Sequence, residues 1–361
     1  MNEAPERVTR CRGVLLGTAV GDALGLPKEG IPRDRADKMF AGRPRHRFLF
    51  GSGMVSDDTD HALFVAQSLL AHPDSPEDFR RRLAWCLRLW LLTLPAGVGF
   101  ATLRSILKLW VGVDSRRSGV YSAGNGPAMR SAPIGAFFAD SPERLDAYVD
   151  ASTRITHTDP RALTGARAVA LLTAWMIRDE LREQPDVGPF IEVLRHASAR
   201  KAADEEWRDL IEQIRTACDR ELSVIEFADS LGLEQGVTGF VYHTVPLAAY
   251  AWYRHFGDFE ATVSSVLACG GDTDTTGAIA GALAGAVIGD GGIPGDWLRG
   301  IWDWPRSRTL IGSLGAQLAE CSATGRSCSP VRYFWFGLVP RNLLFLTVVL
   351  AHGLRRLLPP Y

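Results

Sequence analysis

Two short stretches of this chain place glycine at every fourth position: Gly13, Gly17, Gly21 and Gly25 near the start, and Gly277, Gly281, Gly285 and Gly289 far downstream. That spacing puts each set on one face of a helix. Interior glycine costs about 0.5–1 kcal/mol relative to alanine, so so many of them need an offsetting gain, such as very close helix packing or backbone approach to a ligand. The expectation is that these two helices pack together at the domain centre, at the usual ~8–10 Å axial spacing or less. A membrane-dimer reading of the same glycines fails, because Asp22 and Asp274 interrupt or bound the stretches.

The rest of the chain is helical in pattern. β-Branched residues alternating with polar ones are scarce, whereas apolar residues recur at three and four positions. Helices are predicted over Val8 to Leu24, Asp60 to Ala71, Pro76 to Leu91, Pro142 to Thr156, Asp159 to Arg182, Ala203 to Asp219, Val245 to Phe256 and Phe259 to Cys269. The fold class is therefore all-α, a single compact multi-helix domain. A length of 361 residues leaves the domain count open, but there is no repeat and no low-complexity linker. Residues 1–300 are read as one domain and 301–361 as a C-terminal extension.

That extension carries Tyr333-Phe334-Trp335-Phe336 and a nine-residue apolar run from Leu343 to Ala351, with Pro340 and Arg341 between them. A bilayer span needs about 20 residues, so the expectation is packing on the domain or at an interface between copies, rather than membrane insertion. The charged end Arg355-Arg356 and Pro359-Pro360 follow.

Bulk charge narrows the function. With 40 basic and 41 acidic residues and a net charge of -1, the chain has no electrostatic footprint for nucleic acid or a membrane surface, and a small ligand is the default partner. A hydrophobic share of 46% against 22% charged fits a globular protein with a real core. Cys11, Cys86, Cys218, Cys269, Cys321 and Cys328 form no C-x-x-C pair and are expected to be reduced, which points to the cytoplasm. Arg7, Arg10 and Arg12 before Val14-Leu15-Leu16 imitate a leader, but Asp22 breaks the apolar stretch.

Three clusters could carry chemistry. Ser56-Asp57-Asp58-Thr59-Asp60 crowds acids at a helix start, which repulsion disfavours unless the helix dipole, a metal or solvent compensates. Helix capping alone is the plainer account of it. Gly270-Gly271-Asp272-Thr273-Asp274-Thr275-Thr276-Gly277 places two carboxylates two residues apart, with hydroxyls beside them. Capping explains one of those acids. The rest suits a hard ion such as magnesium or manganese, since no Cys or His stands nearby to favour zinc. Gly124-Asn125-Gly126-Pro127-Ala128-Met129-Arg130-Ser131-Ala132-Pro133 is a glycine loop entering a helix, whose N–H groups could meet a phosphate, although such turns are common. His157, a lone histidine at a helix start, reads more readily as a capping or core residue than as a ligand contact.

In this order the segments resemble the ADP-ribosylglycohydrolase family. The carriers are Gly13 to Gly25 with Glu29, Ser56-Asp57-Asp58-Thr59, the loop Gly124 to Pro133, Thr156-His157, and Gly270 to Thr275. The resemblance spans roughly residues 8 to 300 and implies an all-helical domain with two Mg2+ or Mn2+ ions in a cleft. It implies metal ligation by Ser56, Asp57, Asp58, Asp272, Asp274 and Thr275. It places Asn125, Gly126, Met129 and His157 around ADP-ribose, and catalytic roles on Glu29, Asp58 and Asp272. Thr156 and Arg130 receive no role. Ser56 stands where threonine is common, and Pro127 removes an N–H from the glycine loop.

The implied reaction is metal-dependent hydrolysis of the bond between ADP-ribose and an acceptor, a protein side chain or a small conjugate. Two other classes stay in view: a non-catalytic ADP-ribose-binding or crystallin-like relative, and a hydrolase of another nucleotide or ribosyl compound. Retention of all four motif carboxylates, Asp57, Asp58, Asp272 and Asp274, argues against the first.

Overall fold

The computed structural model describes residues 3–198 and 205–358. Its two glycine helices are Glu3–Gly25 and Thr273–Ile288, and they lie antiparallel with their backbones touching. A Cβ built on Gly13, Gly17 or Gly21 would fall onto the carbonyl oxygen of Gly285, Gly281 or Gly277, and Gly25 meets Thr273 in the same way. Gly289 departs from the expected stripe: at φ 68° it closes the second helix with a conformation that L side chains rarely adopt.

Every residue from Thr273 to Val287 is buried. A helix apolar all round must sit at the centre of the molecule, and this one does. Packed around the pair are Asp57–Ala71, Pro160–Arg178, Val241–Arg254, Phe259–Ala268 and Arg308–Thr324. Among the described residues there is no strand, only isolated bridge pairs such as Ile31 with Gly271 and Val237 with Gly271. Those bridges tie loops together at one end of the central pair.

Boundaries moved where caps won over periodicity. Ser56 caps the helix that starts at Asp57, three residues before the apolar pattern begins. The helix expected to reach Arg182 stops at Arg178, and Glu180 turns the chain away at φ 46°. Helix Glu205–Asp219 turns Trp207, Leu210, Ile211 and Ile214 inward, whereas its expected start at Ala203 lies outside the described residues. Pro246 is accommodated inside Val241–Arg254, which begins four residues before the expected Val245.

Beyond residue 300 the chain continues into the core: Ile311, Leu314 and Leu318 are buried, and Gly315 packs against the backbone of Arg12. The expectation that all six cysteines are reduced is corrected there. Cys321 and Cys328 form a disulfide, brought together because Gly325 ends the helix Arg308–Thr324 in the left-handed conformation and reverses the chain. Cys11, Cys86, Cys218 and Cys269 are free.

The last helix, Leu338–Arg356, corrects a second reading. Pro340 and Arg341 do not break it. Proline in a first turn removes an N–H that has no intrahelical partner, so the helix runs straight through. Trp335–Arg356 is thereby 22 residues long with mean hydropathy 1.4, long and apolar enough to cross a membrane. In this fold it lies along the domain, burying Leu338, Arg341, Asn342 and Phe345, the last against Leu26, Phe48 and Met54. Pro359, Pro360 and Tyr361 lie outside the described residues.

The backbone contact predicts a sharp asymmetry between glycines. Gly281→Ala forces a methyl onto the Gly17 carbonyl and is expected to lower stability by about 3 kcal/mol. Gly188→Ala, in a helix with nothing within 4 Å of the added methyl, should be neutral or stabilise by up to about 1 kcal/mol. Thermal unfolding of the two variants measures both, and equal effects would overturn the account.

Candidate active site

The glycine ladder delivers its first functional group in the last turn of the N-terminal helix. Asp22 follows Gly21 and is fully buried. Its carboxylate accepts from the Ser56 N–H at 2.8 Å, the Thr59 N–H at 3.2 Å and the Thr59 hydroxyl at 2.5 Å. Burial pushes its pKa up to about 6 against those bonds. Asp22 thus moulds the first acidic loop from beneath.

Within that loop the work divides. Ser56 adopts extended backbone and its Oγ accepts from the Asp58 N–H at 3.2 Å, so capping belongs to Ser56. Asp60 faces backward, accepting from the Trp90 indole at 2.8 Å and pairing with the buried Arg306 guanidinium. Asp57 and Asp58 remain for the site. Asp58 takes hydrogen bonds from the Ser56 hydroxyl at 3.1 Å and the Thr275 hydroxyl at 3.3 Å. The two acidic loops, distant in sequence, therefore meet at one carboxylate.

The second loop turns on Gly270 and Gly271, at φ 71° and 77°. A side chain on Gly271 would collide with Val237, whose carbonyl accepts from the Asp272 N–H at 2.8 Å. On the other side Gly30 N–H donates to Gly271 O at 2.8 Å. Asp272 occupies the N-cap position of Thr273–Ile288 yet makes no capping bond with its side chain, so the capping reading fails there. Its Oδ2 instead accepts from the Asn125 amide at 2.6 Å, and the same amide reaches Thr244 Oγ1 at 3.0 Å.

The glycine loop leads only into the single turn Gly126–Met129, too short to offer the helix-terminal anion site its pattern suggested. Arg130 points away from the cavity and is fully buried. It donates to Thr156 Oγ1 at 2.7 Å, and that oxygen lies 2.9 Å from His157 Nδ1. The Thr156 hydroxyl accepts from that guanidinium, and giving its own proton to Nδ1 assigns the ring proton to Nε2, toward Gly124 and Gly126. Burial, followed by the Arg130 charge, lowers the His157 pKa to about 3, so the ring faces the cavity as a neutral donor.

These loops enclose a cavity of about 360 Å³. Glu29, Asp57, Asn125, Gly126, Met129, His157, Asp272, Asp274 and Thr275 line it, while Ser56 and Asp58 stand just behind. Phe100, largely exposed, presents its ring at the same opening. The volume falls in the range of small-ligand and cofactor sites.

Electrostatically the cavity is out of balance. Burial and then the charges of Asp22 and Glu29 push Asp57 up to about 8. Asp58 and Asp274 are driven well above the usual carboxylate range, burial leading and neighbouring carboxylates following. Glu29 is raised too, first by desolvation and then by Asp272. Asp58 Oδ1 and Asp274 Oδ1 are buried with no hydrogen-bond partner. Such oxygens are costly unless a proton or cation answers them. Among the described residues no three His, Cys, Asp or Glu side chains close into a ready cage. The donor set that converges mixes carboxylates with the Ser56 and Thr275 hydroxyls, all oxygen, and fits a hard cation.

Pattern reading missed Asp22 and the Arg130–Thr156 relay. The signal for Asp22 was present: a lone carboxylate inside an apolar, glycine-striped helix must find donors. Nothing local announced the relay.

Comparison with known proteins places the chain in a family. The family model for ADP-ribosylglycohydrolase matches residues 3–326. The ADP-ribosyl-[dinitrogen reductase] glycohydrolase of Rhodospirillum rubrum is 29% identical over 86% of this chain and 96% of its own length. ADP-ribosylhydrolase ARH3 of Danio rerio is 27% identical over 80% of this chain and 85% of its own. A solved structure titled ADP-ribosylglycohydrolase-related protein complex superposes with TM-score 0.62 at 30% identity, covering 88% of this chain and 99% of that one. The chain belongs to the ADP-ribosylglycohydrolase family.

Proposed function

We propose that this chain is a metal-assisted glycosyl hydrolase that cleaves ADP-ribose from an acceptor at the ribose anomeric carbon. The observation that carries the reading is the meeting of two distant acidic loops, with unpartnered carboxylate oxygens, on the wall of one nucleotide-sized cavity. Family membership supports the chemistry.

Ser56, Asp57, Asp58, Asp272, Asp274 and Thr275 would hold two magnesium or manganese ions. When bound, such ions supply Lewis acidity toward ribose hydroxyls and an attacking water. The protein's own groups do the rest. Asn125 holds the Asp272 carboxylate in one orientation. His157 offers Nε2–H to a ribose or phosphate oxygen, and the Phe100 ring is available to a base at the opening. Glu29, exposed at the mouth of the cavity that it lines, is placed to take the proton of the water as it attacks the anomeric carbon. The acceptor leaves with the bond's electron pair and takes a proton from solvent at the cavity mouth, with Asp58 and Asp272 balancing the charge that develops on the ribose.

Asp272→Ala is expected to lower kcat at least about 100-fold on an ADP-ribosylated substrate, with chelation of wild type matching it and added Mg2+ restoring only wild type. Retained turnover at saturating substrate in the variant, or full activity in chelator, would sink the metal-assisted reading.

The carboxylates also set a pH signature. Their folded-state pKa values lie above the unfolded ones, so through them the folded chain binds more protons, and metal-free protein should lose stability as pH rises from about 6.5 to about 8, above the range in which buried neutral histidines such as His157 give the opposite slope and up to the value of Asp57. Mg2+ should remove that slope. Urea unfolding at several pH values, with chelator and with Mg2+, gives the test, and parallel profiles would contradict it.

A further inference from the structure

The helix Leu338–Arg356 lies beyond the residues that the family model matches, yet its two ends reach the two sides of the site. At the first end Arg341 is buried, paired with Asp303, and donates to the Val55 carbonyl at 2.6 Å. Asp303 accepts from the Val55 N–H at 3.2 Å. Both polar groups of the residue that precedes Ser56 are thus held by one ion pair.

At the other end Arg356 lies over the turn that carries Glu29. Its Nη1 donates to Glu29 O at 2.7 Å, and its Nη2 to Pro27 O at 2.7 Å and Leu26 O at 3.1 Å. Four residues earlier the His352 ring reaches Pro27 O at 3.0 Å, which makes it a donor there. These carbonyls close the N-terminal helix and its following turn Leu26–Lys28, where intrahelical donors run out. A guanidinium is built for such a site: rigid, forked, permanently charged and without an acceptor.

We propose that this C-terminal helix is a brace for the active site, with Arg356 as a positioning residue that fixes the Leu26–Glu29 turn and so aims the Glu29 carboxylate at the cavity. The helix also sets a permanent cation near that carboxylate, opposing the repulsion from Asp272 and Asp22. The proposal rests on the catalytic reading above only for what Glu29 does once it is aimed. Fixing the turn is a separate, measurable property. Gly30 N–H bonds to Gly271 O and Ile31 N–H to Lys28 O, so amide exchange at Gly30 and Ile31 reports whether the turn is held.

The test uses the full chain with Arg356→Gln, which keeps the apolar stem, and Arg356→Lys, which keeps the charge but not the fork. Arg355→Ala, an exposed cation on the same turn of helix, is the control. Arg356→Gln should speed exchange at Gly30 and Ile31 about tenfold and lower kcat by about tenfold with KM within about twofold, as expected when a reacting group is misaimed and binding is intact. Arg356→Lys should fall between it and wild type, and Arg355→Ala should match wild type. Exchange and kcat in a folded Arg356→Gln equal to those of Arg355→Ala would overturn the brace, as would a loss expressed wholly in KM. Should wild type cleave no ADP-ribosyl conjugate, the catalytic reading falls, and the exchange comparison still decides the brace.

Discussion

The contact on which the molecule depends is backbone against backbone. Gly13, Gly17 and Gly21 rest on the carbonyls of Gly285, Gly281 and Gly277, an approach that no side chain permits. Because the two helices run antiparallel, the ladder fixes more than a distance. It brings the C-terminal end of the first helix, with Asp22 and the turn before Glu29, level with the N-terminal end of the second, with Asp274 and Thr275. Protein interiors do not deform continuously, so an extra methyl on the ladder would displace whole helices and part the loops at their ends. The glycines thus serve the site through packing, at a distance from any ligand.

The carboxylates at that end sort by how they are answered. Asp22 is satisfied by two backbone N–H groups and a hydroxyl, and Asp60 by an indole and a guanidinium. They are structural acids held by protein donors, although burial still raises Asp22 to about 6. Asp58 and Asp274 each keep a buried oxygen with no protein donor. Leaving them unanswered destabilises the isolated chain. The same imbalance is what a cation-dependent site requires, since a carboxylate already neutralised by arginine would have little left for a metal. The buried arginines of this region, Arg341 on Asp303 among them, respect that division. Arg306 pairs with Asp60, and Arg130 spends its donors on Ser152 and Thr156, setting the proton on His157 instead of cancelling an acid.

The all-helical architecture and its central pair were legible because both are local repeats. Period four in glycine and period 3.6 in apolar residues survive any tertiary context that keeps the helix. The clustered acids were legible for a related reason: like charges adjacent in sequence are unfavourable everywhere except at a cap or a cation. What stayed hidden is what depends on pairs distant along the chain. That capping would fall to Ser56 and not to Asp272 was decided by Asn125, a residue from another loop. The Arg130–Thr156–His157 relay joins two segments with no shared pattern, and the Cys321–Cys328 disulfide depends on a turn made by Gly325. The glycine loop was misread in the opposite way, since its pattern promised a helix of useful length where only one turn exists.

The C-terminal helix was the least legible element, and its energetics explain why. Counted by apolar residues alone, Trp335–Arg356 could enter a bilayer, and Pro340 and Arg341 looked like the interruption that prevents it. In the fold these residues have other roles. Pro340 sits in the first turn of the helix, and Arg341 is its inward anchor, buried on Asp303 and the Val55 carbonyl. Lifting this helix from the domain would strand a buried carboxylate and leave Val55, Leu26, Pro27 and Glu29 without the donors that now meet their carbonyls. Each such loss carries a desolvation penalty larger than the net gain of an ordinary hydrogen bond. The apolar inner face, Phe345 on Phe48, Leu26 and Met54, therefore holds the helix in place only together with its charged ends, and the residues that look least compatible with an apolar helix determine where it lies.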